Sequence, residues 1–95
     1  MTERIMTLHP EGKQGVNIDK AKYDMMAEAI ISALQDEQPV TFSALSRTVS
    51  RRLDGKFDGS ITWYYTTVKL DLEARGKILR VPKSSPQQIR LVDEK

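Results

Sequence analysis

Three arginines, Arg47, Arg51 and Arg52, recur at spacings of four and one in the middle of the chain. On a helix that pattern groups cations so that they can neutralise phosphates and release condensed counterions. Ten residues after Arg52, Thr62, Thr66 and Lys69 follow at spacings of four and three, which places three hydrogen-bonding side chains on one helical face able to meet bases or phosphates. Lys83, Ser84 and Ser85 form a polar cluster flanked by Arg80 and Arg90, and this cluster suits contacts to a nucleic-acid backbone. Each group also has a plainer reading. Arginines near a helix end complement the helix dipole, threonines on a helix are often only solvated, and Ser-Ser-Pro is a turn. Glu73 on the same face as Lys69, with Asp54 and Asp58 near its start, would repel phosphate.

The residues needed for catalysis are sparse. His9 is the single histidine and stands beside Pro10, so a histidine-pair metal site or a Ser/His/Asp arrangement within one chain has little to draw on. Cysteine is absent, which excludes disulfides and thiolate chemistry. Gly12-Lys13-Gln14-Gly15 resembles a phosphate-binding loop only superficially, because it lacks the upstream glycine and the Ser/Thr after lysine. Asp71 and Glu73 are two apart on a helix and diverge. No enzyme activity, metal or cofactor is expected, and no small-molecule ligand is evident.

The elements that position these groups follow from hydropathy and punctuation. A chain of 95 residues with 39% hydrophobic and 29% charged residues suits one globular domain. Residues 1–38 carry a net charge of −3 and residues 39–95 one of +5, an asymmetry that favours an anionic partner for the second part. Residues 1–17 mix Pro10, Gly12 and Gly15 with isolated apolar residues, which predicts an extended arm with a short strand near residues 6–9. Asn17 or Asp19 can cap a first helix reaching Gln35, with Tyr23, Met26, Ala27, Ile30 and Leu34 at helical spacing. Pro39 ends it, and Val40 and Thr41 fit a short strand or an entry.

A second helix is expected over 42–53, capped by Thr41 or Ser43, with Phe42, Leu45, Val49 and Leu53 on one stripe and Arg47, Arg51 and Arg52 largely off it. Ser60 can cap a third over 61–75, whose main buried stripe is Ile61, Tyr65, Val68 and Leu72, with Gly76 as its stop. Residues 78–81 and 88–92 read as strands of a hairpin joined by turn residues. Trp63, Thr67, Leu70 and Ala74 make a weaker second stripe on the third helix. Either the domain buries it, or Trp63, Tyr64 and Leu70 mark the surface of a homodimer or another protein partner.

Helix, helix, helix, hairpin is the chain order of the winged helix-turn-helix. The run Leu72-Glu73-Ala74-Arg75-Gly76-Lys77-Ile78-Leu79-Arg80 looks like a recognition helix turning through glycine into the wing of winged-helix regulators. The whole chain resembles a small uncharacterised family of prokaryotic winged-helix proteins through Leu8-His9-Pro10-Glu11-Gly12-Lys13, Phe57-Asp58-Gly59-Ser60, Trp63-Tyr64 and Val68-Lys69-Leu70-Asp71-Leu72-Glu73-Ala74-Arg75. That resemblance implies a fold and no established activity.

The expectation is thus a mainly helical α+β winged helix-turn-helix with a two-stranded wing, built from an arm (1–17), a domain (18–92) and a frayed end (93–95). Its expected partner is duplex DNA, read by residues 61–75 in the major groove with 42–53 and the wing on phosphates, as in a transcriptional regulator. The alternative is a winged-helix protein-interaction module, a homodimer or a scaffold for another chain. No stretch is apolar enough to span a bilayer or serve as a secretory signal, so a cytoplasmic location is expected.

Overall fold

Asp19 ends the N-terminal segment by accepting the backbone N–H of Ala21 at 2.8 Å, which satisfies a donor that the helix start leaves unpaired. In this computed structural model, which describes residues 3–83 and 85–92, helix α1 then runs Lys20–Asp36. It buries Tyr23, Met26, Ala29, Ile30, Ala33 and Leu34, the inward face that its apolar period dictates. Glu37 turns extended ahead of Pro39, as the residues preceding a proline ring tend to.

Helix α2 (Phe42–Leu53) starts where Thr41 Oγ1 accepts the Ala44 N–H at 3.1 Å, and it buries Leu45, Val49 and Leu53. Helix α3 (Ile61–Ala74) is capped by Ser60, whose hydroxyl accepts the Trp63 N–H at 3.2 Å. Its end is closed by two reversed bonds, Gly76 N–H to Glu73 O at 3.1 Å and Lys77 N–H to Leu72 O at 2.9 Å. That pairing needs a left-handed residue between them, and Gly76 supplies it at φ +76°.

Two small antiparallel sheets complete the fold. The sheet that follows the helices has three strands where a two-stranded hairpin was expected: β3 (Val40–Thr41), β4 (Ile78–Arg80) and β5 (Gln88–Leu91), in the order β3-β5-β4. Val40 lies opposite Ile89, and the Phe42 N–H continues the ladder to Gln87 O at 3.2 Å. A two-residue strand covers the outer edge of β5, whose backbone groups would otherwise be unpaired. Ile78 and Ile89 from this sheet join Leu34, Leu45, Val49, Val68 and Leu72 in one core.

The N-terminal segment folds back instead of extending. Strand β1 (Arg4–Met6), starting earlier than the strand expected at 6–9, pairs with β2 (Asn17–Asp19), and Ile5 faces Ile18 across them. Beyond β1 the two chain segments stay clasped: Thr7 N–H donates to Val16 O at 2.8 Å, and Thr7 Oγ1 accepts the Val16 N–H at 2.9 Å. Residues 93–95, expected to fray, lie outside the described residues.

Candidate nucleic-acid interface

The first two turns of α3 present Thr62, Trp63 and Thr66 to solvent, as the phase of the helix requires. One turn later the expectation fails. Lys69 is 3% exposed; its ammonium pairs with Glu73 and lies 5.2 Å from the centre of the Phe42 ring. Helical phase alone turned Lys69 outward, but the start of α2 and the hairpin cover that side. Glu73 also pairs with Arg80 at 3.2 Å, so the carboxylate expected to repel phosphate is enclosed between two cations. Nearby, the Tyr65 hydroxyl donates to Phe42 O at 2.8 Å. Burial raises the pKa of this phenol above its ordinary value, and the Glu73 charge adds to the effect.

The arginines of α2 divide. Arg47 and Arg51 are exposed and form no ion pair among the described residues; Arg51 makes only a long contact of 3.5 Å to Thr48 Oγ1. Arg52, expected on phosphate, instead reaches across to α1, where it donates to Ser32 Oγ and pairs with Asp36. Arg52 stands seven residues after the buried Leu45, two helical turns on, and so shares the side of α2 that faces α1.

In the hairpin, Arg80 is committed to Glu73, and Arg90 Nη1 donates to Leu91 O at 3.0 Å. Neither is an unengaged cation. Lys83 is exposed in the turn with φ 62°, and Ser85 is exposed beside it. Ser84 lies outside the described residues. Of the residues expected to touch nucleic acid, Arg47, Arg51, Thr62, Thr66, Lys83 and Ser85 thus remain at the surface and outside ion pairs among the described residues.

The aromatic and apolar candidates also separate. Trp63 is 47% exposed, with its ring edge-on to Tyr64 at 4.9 Å. Tyr64 is half-buried against Phe57 at 5.0 Å, and Lys22 lies 5.5 Å from its ring centre. Leu70 and Thr67 are part-buried and line a small cleft with Leu8, Gly15 and Val16 of the N-terminal segment, while the Trp63 end of the second stripe on α3 is more open.

The feature that sequence reasoning missed is Asp71, which is fully buried. Its carboxylate accepts the Leu8 N–H at 2.8 Å, the Tyr23 hydroxyl and Arg75 Nε at 2.8 and 3.0 Å. Three donors from three parts of the chain make four hydrogen bonds to one side chain. Burial chiefly, and then the bond to Asp71, raise the Tyr23 phenol pKa, while the same carboxylate raises that of the Arg75 guanidinium. The i,i+4 spacing of Asp71 and Arg75 was the available signal. His9 sits in the turn that follows, its Nδ1 accepting the Glu11 N–H at 3.1 Å.

Among the described residues, no group of three His, Cys, Asp or Glu side chains is placed to hold a metal, and no helix is long and apolar enough to cross a membrane. These features define a small α+β domain with a helical core, two short sheets and a polar, partly cationic surface. The chain belongs to a family of unknown function (DUF6958), whose model matches residues 4–89. No curated protein and no solved structure matches it.

Proposed function

We propose that this chain is a winged-helix module that binds duplex nucleic acid, in the role of a transcriptional regulator and not an enzyme. In this reading the first two turns of α3 enter the major groove, while α2 and the β4–β5 turn lie on phosphates. One observation carries it: Arg47, Arg51 and Lys83 stay exposed and outside any ion pair among the described residues, while Glu73 is enclosed by Lys69 and Arg80. Glu73 is thereby screened from phosphate, while Asp54 and Asp58 stay exposed near the start of α3. The three-stranded sheet supports the same reading, since β3 ties the start of α2 to the hairpin that would act as the wing. A cytoplasmic setting accords with it.

The exposed part of α3 offers Thr62 and Thr66 but no Arg, Asn or Gln, the side chains that form bidentate contacts with bases. Affinity should then come mainly from phosphates, with weak discrimination among sequences. Fluorescence anisotropy of a labelled duplex, titrated at several salt concentrations, tests this. Binding that weakens steeply with salt supports the proposal, and no binding at low salt removes it.

A second reading, protein association, has its own supporting observation. Trp63 is open at one end of a stripe whose neighbours Leu8 and Val16 are also exposed apolar residues. Under it, Trp63→Ala lowers the oligomer mass in sedimentation equilibrium without unfolding the chain. A wild type that stays monomeric at high concentration removes the homodimer form.

A further inference from the structure

The sequence offers no evident ligand pocket, yet α1, the end of α3 and β5 enclose an open groove of about 600 Å³. Its apolar lining includes Ile31, Leu72, Leu91 and Val92, and its charged lining side chains among the described residues are Arg75 and Lys77, with three neutral polar side chains beside them. A cleft of this size that sets an apolar surface beside convergent polar groups is a common form of small-molecule site. The charge on its lining selects the ligand. A neutral hydrocarbon would leave both cations unused, and a cation would be repelled.

The two cations are available to different degrees. Lys77 is exposed and belongs to no ion pair among the described residues. Arg75 uses Nε on Asp71 and Nη2 on Met6 O at 3.4 Å, and its guanidinium also lies beside the Tyr23 hydroxyl. A guanidinium presents five donors in a fixed fork, so a second carboxylate at Arg75 would compete with Asp71 and Met6 for those donors.

We propose that this groove binds a small monocarboxylate with an aliphatic body, its carboxylate on Lys77 and Arg75 and its chain over Ile31 and Leu91. Arg75 belongs to both the groove and the Asp71 node that fastens Leu8. A bound carboxylate draws part of the guanidinium away from Asp71 and Met6, and this loosens the N-terminal segment on α3. The proposal is independent of nucleic-acid binding and is tested without it.

The test is an NMR titration of the full ¹⁵N-labelled chain with octanoate, and separately with 1-octanol as the uncharged probe of equal chain length. Octanoate should give saturable shifts centred on the Ile31, Lys77 and Leu91 amides, and octanol should bind at least about tenfold more weakly. Lys77→Gln, a surface change that leaves the fold intact, should weaken octanoate about tenfold. Exchange of the Leu8 amide should accelerate as the groove fills. Equal binding of the two probes, shifts centred elsewhere or the absence of saturation would overturn the site. Saturation with unchanged Leu8 exchange would overturn the coupling to the N-terminal segment.

Discussion

The backbone N–H of Leu8 donates to Oδ1 of Asp71 at 2.8 Å across 63 residues of chain, and this contact fastens the N-terminal segment to α3. Asp71 is fully buried, so its charge is tolerable only because Leu8, Tyr23 and Arg75 all donate to it. The same carboxylate thus joins the first strand region, α1 and α3. The outward face of α3 is consequently shared between the N-terminal segment at its C-terminal end and open surface at its N-terminal end.

Asp71→Asn should cost about 3 kcal/mol of folding stability, because it strips the buried charge from Arg75 and forces an amide into a site built from donors. Urea denaturation measures the loss, and hydrogen exchange at Leu8 reports release of the segment. A midpoint equal to that of the wild type would show that the node does not hold the fold together.

Gly15→Ala should release the same segment by a different route. A Cβ at this position would stand 1.8 Å from Thr7 O and 2.8 Å from Thr7 Oγ1, where the two chain segments cross. Overpacking of this kind costs about 1–3 kcal/mol or more, and here the backbone must separate to relieve it. Rapid exchange of the Thr7 and Val16 amides, with the helices still protected, is the expected signature. Wild-type protection at both amides would show that the crossing can relax.

Much of this architecture was legible in the chain. Asp19, Thr41 and Ser60 cap the three helices as their residue types imply, and Gly76 stops α3 because only a left-handed residue closes that end. The N-terminal hairpin was not legible, since β1 and β2 are three residues each, too short for an alternating period. The candidate site was readable only in part. Helical phase correctly exposes Thr62 and Thr66, but it cannot tell that Phe42 and the hairpin cover Lys69. A run of three arginines does not reveal that Arg52 finds Asp36 on another helix. Burial set by neighbouring elements, and ion pairs distant in sequence, are tertiary facts.

Alkaline pH should destabilise the chain. The phenols of Tyr23 and Tyr65 are raised above the ordinary 10.0, chiefly by burial, so the native state holds both protons more tightly than the unfolded chain does. That contribution to stability is fully present below the unfolded value and is lost as pH rises through the higher folded values. Phenolate absorbance from these two residues should therefore appear together with the loss of helical circular dichroism. Their ionisation while the helices remain intact would contradict the burial that the structure assigns to them.

The cations supply the sharpest separation between holding the fold and binding a ligand. Replacing Lys69 with Met leaves Glu73 buried with Arg80 alone, and removing one partner of such a pair costs about 3–5 kcal/mol. Arg80 remains, so the lower end of that range is expected. Arg52→Gln removes a partly exposed contact to Asp36 and Ser32, for which about 1 kcal/mol is a reasonable ceiling. Arg47→Gln with Arg51→Gln should leave the unfolding midpoint unchanged, because neither side chain is tied to an acid among the described residues. If these two arginines lie on phosphates, the double variant lowers the slope of log affinity against log salt by about two, close to one per lost contact. Thermal unfolding and duplex titration of the same preparations separate these roles. A double variant that binds with the wild-type slope would remove α2 from the interface and leave α3 and the hairpin turn as the contacts to examine.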